Sequence, residues 1–216
     1  MALAQTHPDL ASFYDHLAPN YDRLHKRWLR HAGGEAQAAL EATVRAVATP
    51  GMELLDAGCG TGAFARRLVV EGLAPSQMTL LDPSAAMLAR CADLPARRVT
   101  GRLEAIPLAS GQFDIVTCAW ALETVPRTGQ ALAELCRMIR PGGVLCLAFC
   151  AEKPVLGPRD WIMKAALSLR GAGRFLAVDT VAEDLETRHG LDVRSLPCAG
   201  PAAALIARRR PLGLPL

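Results

Sequence analysis

With 216 residues, half of them apolar, a fifth charged and a net charge of +3, the chain has the size of one ordinary domain and apolar mass for a substantial core, which excludes a disordered protein. The basic residues are scattered apart from Arg208-Arg209-Arg210, read as a solvated tail, so no phosphate-tracking stripe is evident and nucleic acid is not expected as a partner. No basic stretch followed by an apolar one opens the sequence and no uncharged run is long enough to cross a bilayer, so a cytoplasmic location is expected; the seven cysteines, odd in number and without a C-x-x-C pair, read as reduced thiols.

From His7 to about Ala48 the patterning is helical. Leu10, Phe13, Tyr14 and Leu17 recur at helical spacing before Pro19-Asn20 interrupts them, and a second helix over 35–47 ends ahead of the turn at Pro50-Gly51. Short apolar strands then alternate with helices: strand 52–56, helix 63–71, strand 78–82, helix 84–91, strand 97–100, strand 113–119, helix 130–139 closed by Arg140-Pro141-Gly142-Gly143, and strand 144–149. Beyond these come a helix over 159–169, a break at Gly171-Ala172-Gly173 and a helix over 180–189. Two final strands, 191–196 and 203–208, are joined through Gly200-Pro201, a turn short enough for antiparallel pairing. The expectation is one α/β domain in which residues 1–48 form a helical cap, 51–149 a cofactor-binding core, and 150–210 substrate-side helices and a terminal hairpin.

The chemistry concentrates where the first strand ends. Asp56 is followed by Gly58, Gly60 and Gly62, so the backbone can turn tightly and approach a ligand before a helix begins. In a parallel sheet such a loop lies at the carboxyl ends of the strands, where ligands bind. The glycines, with Ala63 at the third fingerprint position, do not by themselves exclude a nicotinamide dinucleotide. Asp82, closing the second strand, is placed to accept hydrogen bonds from both hydroxyls of a ribose, in preference to merely capping the helix after Pro83-Ser84.

Leu54-Leu55-Asp56-Ala57-Gly58-Cys59-Gly60-Thr61-Gly62 resembles the first motif of the class I S-adenosylmethionine-dependent methyltransferases. Leu80 to Leu88 resembles the ribose strand and following helix of that family, Phe113-Asp114-Ile115-Val116-Thr117 its fourth strand, and Met138 to Gly143 the turn into its fifth. The resemblance covers about Gly51 to Phe149 and implies a Rossmann-like, seven-stranded, mostly parallel sheet with helices on both faces, its last strand antiparallel, under an N-terminal helical lid. It also implies S-adenosylmethionine as cofactor, with Asp56, Ala57, Gly58, Cys59, Gly60 and Gly62 against the methionine portion, Asp82 on the ribose, and Pro83 and Met87 near the adenine. Phe13 to Asp22 resembles the leading helix of the branch containing quinone-biosynthesis and phospholipid N-methyltransferases, which places Tyr21 over the cofactor.

Two departures stand out. Gly101-Arg102-Leu103-Glu104 occupies the place of the family's Gly-Asp-Ala-Glu, so the adenine is held by the backbone of Leu103 or by Glu104 swinging in. Glu123 stands where relatives often show histidine and reads as a base, a substrate anchor or a helix-start carboxylate. Cys118 and Trp120 border cofactor and substrate, with Trp120 either packing on the cofactor or belonging to the core. His16 and His25 are further candidates for a base, although a solvated surface role is preferred for each. No metal is expected, since no ligand-spaced His or Cys cluster occurs and methyl transfer needs none. The acceptor is expected to be a small molecule. Trp161-Ile162-Met163, Leu167 and Leu169 would suit a hydrophobic one or a peripheral membrane contact, although plain packing on the sheet is preferred. A nicotinamide-dependent oxidoreductase and a noncatalytic cofactor-binding protein remain the readings from other classes.

Overall fold

The structure, a computed structural model, describes residues 10–152 and 174–211. The chain opens with α1 (Leu10–Leu17), α2 (Tyr21–Trp28) and α3 (Gly34–Val47), then runs through β1 (Leu54–Ala57), α4 (Ala63–Val70), β2 (Met78–Asp82), α5 (Ala85–Ala89) and β3 (Arg97–Thr100). It continues with β4 (Phe113–Ala119), α6 (Thr128–Met138), β5 (Ile139–Cys150), α7 (Val178–Thr187), β6 (Asp192–Leu196) and β7 (Ala202–Arg208). The strands form one seven-stranded sheet in the order β3-β2-β1-β4-β5-β7-β6. β1 to β5 pair in parallel, and β7 is antiparallel to both of its neighbours. This is the Rossmann-like sheet the sequence predicts, terminal hairpin included.

Period-two alternation along each strand decides which helices cover which face. Leu55, Val116, Leu145, Leu147 and Phe149 pack with Leu132 and Leu135 of α6 and Val181 and Leu185 of α7. The alternate residues Leu54, Leu80, Ile115, Cys146 and Ala148 pack with Leu40 and Val44 of α3 and Phe64 and Leu68 of α4. Buried on both faces, the central strands read in sequence as near-continuous apolar runs. The outer strands β3 and β6 are largely exposed, and Arg97 and Arg98 on β3 discourage edge-to-edge pairing.

Pro19-Asn20 interrupts the opening helical run as expected: α1 ends at Leu17 and α2 begins at Tyr21, with Pro19 in the first turn of a short 3-10 segment, Ala18–Asn20, where its missing N–H has no partner to lose. Two other expectations are corrected. Arg140-Pro141-Gly142-Gly143 lies inside β5: the pairing register shifts between Phe113 and Ile115, while Gly142 N–H donates to the Arg209 carbonyl and Arg209 N–H to that of Gly143. The segment is a bulge in a strand, a place where glycine is common. Finally, the basic residues are less scattered than they read. Arg23, Lys26, Arg27 and Arg30, at i, i+3, i+4 and i+7, share one exposed face of α2 and its continuation. The predicted helix over 159–169 and Gly171-Ala172-Gly173 lie outside the described residues, as do Trp161, Ile162, Met163, Leu167 and Leu169. No described helix is long and apolar enough to cross a membrane.

Candidate functional site

The carboxyl ends of β1, β2 and β4 meet at one edge of the sheet, and the strand order reverses between β1 and β4, the place where open α/β sheets leave a crevice. Out of β1 the chain turns through Gly58 at φ +77° and Gly60 at φ +53°. A Cβ on Gly58 would lie 2.4 Å from that of Ala121, so a side chain there would strain the backbone and collide with the segment after β4. A Cβ on Gly60 would point at the Tyr21 ring, 3.5 Å away, filling a space the glycine keeps open. The loop is held to the neighbouring strand: Gly58 and Cys59 N–H both donate to the Leu81 carbonyl at 2.7 and 3.0 Å, and Gly60 N–H donates to Asp82 Oδ2 at 2.9 Å.

Above this loop lies a cavity. Gly58, Gly60, Asp82, Pro83 and Met87 form one wall, Arg102, Leu103 and Glu104 one end, and Trp120, Ala121, Thr124 and Val125 the opposite side. Leu10, Tyr14 and Tyr21 of the N-terminal helices close it from above. Two carboxylates fasten this cover. Asp15 accepts from the Ser84 hydroxyl at 2.5 Å and from Ala86 N–H at 3.1 Å, and Asp22 accepts from the Thr61 hydroxyl at 2.5 Å. Trp120 has φ +61°, a conformation that costs a bulky residue on the order of 1–3 kcal/mol. The backbone N–H of Trp120 donates to Ala148 at 2.8 Å, its indole N–H donates to Gln37 of α3 at 2.6 Å, and its ring meets Trp28 edge-on. Wall and core packing are thus the same side chain.

The charge around the cavity is negative and incompletely satisfied. Asp56, Asp82, Glu104 and Glu123 are all buried, and Asp56 Oδ2, both oxygens of Glu104 and Glu123 Oε2 have no hydrogen-bond partner among the described residues. Burial pushes the Asp56 carboxyl up to about 7, against a hydrogen bond from Thr117 that lowers it and the repulsion of Asp82 that adds to it. Burial likewise raises Asp82 to about 6, opposed by the N–H groups of Ser84 and Gly60. Glu123, accepting from Cys150 N–H at 3.2 Å, is raised by burial too. The Tyr14 and Tyr21 hydroxyls are raised well beyond the usual phenol range, first by burial. The cation lining the cavity is Arg102, 3.9 Å from Glu104.

Of the residues predicted for the cofactor, Tyr21, Gly58, Gly60, Asp82, Pro83, Met87, Leu103, Glu104 and Trp120 line the cavity. Asp56, Ala57, Cys59, Gly62 and Cys118 lie behind that lining, with Asp56 Oδ1 accepting from Thr117 at 3.0 Å. Glu123 lies next to the lining residue Thr124 without itself forming the wall. His16 is on the exposed side of α1, bonded to the Ser12 carbonyl at 2.7 Å. His25 stacks on the far side of Tyr21 with ring centroids 5.5 Å apart, and burial lowers it to about 4. Neither histidine lines the cavity. Leu10, Tyr14, Thr124 and Val125 line it without having been singled out. The one signal for Tyr14 was its helical spacing with Leu10 and Leu17, which marks a buried face but not what that face covers. Among the described residues no group of three His, Cys, Asp or Glu side chains is arranged to hold a metal.

A family model described as a methyltransferase domain matches residues 55–147. The chain is 40% identical over 134 residues to a ubiquinone/menaquinone biosynthesis C-methyltransferase of Methylobacterium nodulans, covering 58% of this chain and 50% of that protein. It is 34% identical over 202 residues to a malonyl-[acyl-carrier protein] O-methyltransferase of Enterobacter lignolyticus, covering 91% of this chain and 76% of the relative. The matched region thus spans half the length of the first relative and about three quarters of the second. Among solved structures, an S-adenosylmethionine-dependent methyltransferase from Thermotoga maritima, described as a possible histamine N-methyltransferase, superposes with a TM-score of 0.68. That match covers 91% of this chain and all of the other at 18% identity, a likeness of fold alone.

Proposed function

The chain belongs to the class I S-adenosylmethionine-dependent methyltransferases, and from that membership we propose that it transfers the methyl group to a small-molecule acceptor by in-line displacement without a metal. The observation that supports this most is the unsatisfied negative charge around the glycine loop. S-adenosylmethionine brings a sulfonium and an ammonium, which suit buried carboxylates with orphaned oxygens. A dinucleotide would bring a pyrophosphate to the same loop, where Asp22 already occupies the Thr61 hydroxyl and Asp56 and Asp82 lie below.

When bound, the cofactor supplies a methyl group already made electrophilic by its sulfonium. The protein's work is to position and to exclude water. Asp82 accepts from the ribose hydroxyls, Gly58 and Gly60 keep the backbone clear for the methionine portion, and Asp56 balances the cationic end from behind the loop. Tyr14 and Tyr21 shut the cavity from above. Trp120, Thr124 and Val125 form the acceptor side, with Glu123 placed to take or hold an acceptor proton once Thr124 and its neighbours shift around a substrate.

Glu104 takes the adenine amino group in place of the aspartate that Arg102 replaces, its side chain 3% exposed and neither of its oxygens hydrogen-bonded among the described residues. Glu104→Gln is therefore expected to reduce the preference for S-adenosylhomocysteine over its 6-oxo (inosine) analogue by roughly tenfold or more. Competition binding of the two ligands measures it, and an unchanged preference assigns the amino group elsewhere.

A second reading, methylation of a phospholipid or other membrane lipid, is favoured by the exposed face formed by Arg23, Lys26, Arg27 and Arg30, which matches an anionic bilayer surface in charge. Calorimetry with S-adenosylmethionine, S-adenosylhomocysteine and NAD tests the cofactor: tight binding of NAD alone would overturn the proposal. A labelled-cofactor screen over quinol precursors, phospholipids, thiols and small amines then decides the acceptor. Cofactor binding without label transfer to any class would favour a noncatalytic role.

A further inference from the structure

Two thiols meet beneath the glycine loop. Cys59 belongs to the loop itself, and Cys91 to the turn that follows α5. Their sulfurs lie 3.6 and 3.5 Å from the same acceptor, the Gly60 carbonyl oxygen, so the two thiols flank one atom of the loop. The fit is close: a Cβ on Gly62 would come within 2.9 Å of the Cys91 sulfur. Methyl transfer uses neither thiol, and Cys91 does not line the cavity.

We infer that Cys59 and Cys91 are a site of oxidative modification, a dithiol that a peroxide converts to a disulfide and so weakens cofactor binding. The effect on binding rests on the cofactor reading above; formation of the bridge does not. Cys91 is the attacking group, because the neighbouring Cys59 thiol and then Arg66 draw its thiol below the ordinary value while Cys59 is pushed up. The Cys91 thiolate forms an S–O bond with one peroxide oxygen as the O–O bond breaks and hydroxide leaves. Cys59 sulfur then attacks the resulting sulfenic acid at sulfur, the S–S bond forms, and water departs. Two thiols lose two electrons and two protons, and one peroxide becomes two waters.

Oxidation reaches the cavity through Gly60. Drawing two sulfurs that flank its carbonyl to a bond of about 2 Å displaces that peptide, whose neighbouring N–H of Gly60 is the 2.9 Å donor to Asp82 Oδ2. Both thiols are buried, so peroxide reaches them when this part of the fold opens locally. Bound S-adenosylhomocysteine, seated on the glycine loop, slows that opening.

The purified chain is treated with hydrogen peroxide, then examined by intact mass, by peptide mapping without reduction, and by calorimetry with S-adenosylmethionine before and after dithiothreitol. The expected result is a loss of about 2 mass units mapped to a Cys59–Cys91 bridge and a fall in affinity of roughly tenfold or more, reversed by the reductant. In Cys91→Ser and Cys91→Ala the bridge and the response both disappear. Absence of the bridge overturns the dithiol whatever the chain binds, and a bridge with unaltered affinity overturns its effect. A mapped bridge in a chain that binds no S-adenosylmethionine in either state keeps the dithiol and overturns the cofactor reading.

Discussion

Asp82→Ala is expected to lower S-adenosylmethionine affinity at least about a hundredfold, since hydrogen bonds to a charged acceptor contribute roughly 1.5–3 kcal/mol each and the ribose offers two. The same carboxylate also organises the wall, accepting from Gly60 N–H and Ser84 N–H at 2.9 Å each, so its removal orphans two buried donors. Asp82→Asn keeps one acceptor oxygen but turns an amide donor toward one of those N–H groups, and is expected to bind nearly as weakly. Because burial raises this carboxyl to about 6, affinity in the wild type should also fall as pH drops through that value, where the protonated group accepts less well. Calorimetry at pH 8 and pH 5 measures both effects. Binding by Asp82→Ala within threefold of wild type would remove Asp82 from the ribose.

How much of this was legible depended on whether the information was local. β2, β3 and β4 begin and end where the sequence predicts because breakers such as Pro83, Gly101 and Gly111 bound them. The start of β5 was misplaced because Pro141-Gly142-Gly143 signals a turn locally, whereas its pairing with Arg209 is a long-range fact. The cavity divides in the same way. Asp82 and the glycines belong to contiguous motifs, but Tyr14 reaches the wall only because Asp15 docks on Ser84 and Asp22 on Thr61, contacts that no periodicity encodes. The resemblance sets Asp56 beside the ligand; the strand's alternation sets it beneath the loop, where the β1–β4 register puts it opposite Thr117. The basic face of α2 was missed for a simpler reason: Leu24, His25, Trp28 and Leu29 interrupt it in sequence but not on the helix.

That displaced aspartate yields the second large effect, in which stability and binding move in opposite directions. The Asp56 carboxyl is fully enclosed and raised from 3.8 to about 7 by burial, so folding disfavours its charged form. The penalty is absent below the unfolded-chain value, grows as pH rises above 3.8, and is complete above about 7, where the shift corresponds to roughly 4 kcal/mol. Asp56→Asn keeps the shape and an acceptor for Thr117 while removing the titration. The ligand-free variant should therefore be more stable than wild type at pH 8 by up to a few kcal/mol, with the difference shrinking toward pH 4, as read by urea denaturation across pH. Binding of S-adenosylmethionine moves the other way. The buried charge now faces a cation that satisfies it, so the variant should lose tenfold or more in affinity. A residue that only packed would move both quantities in one direction or leave binding alone. Equal affinity in the stabilised variant would mean that Asp56 shapes the loop without meeting the cofactor's charge.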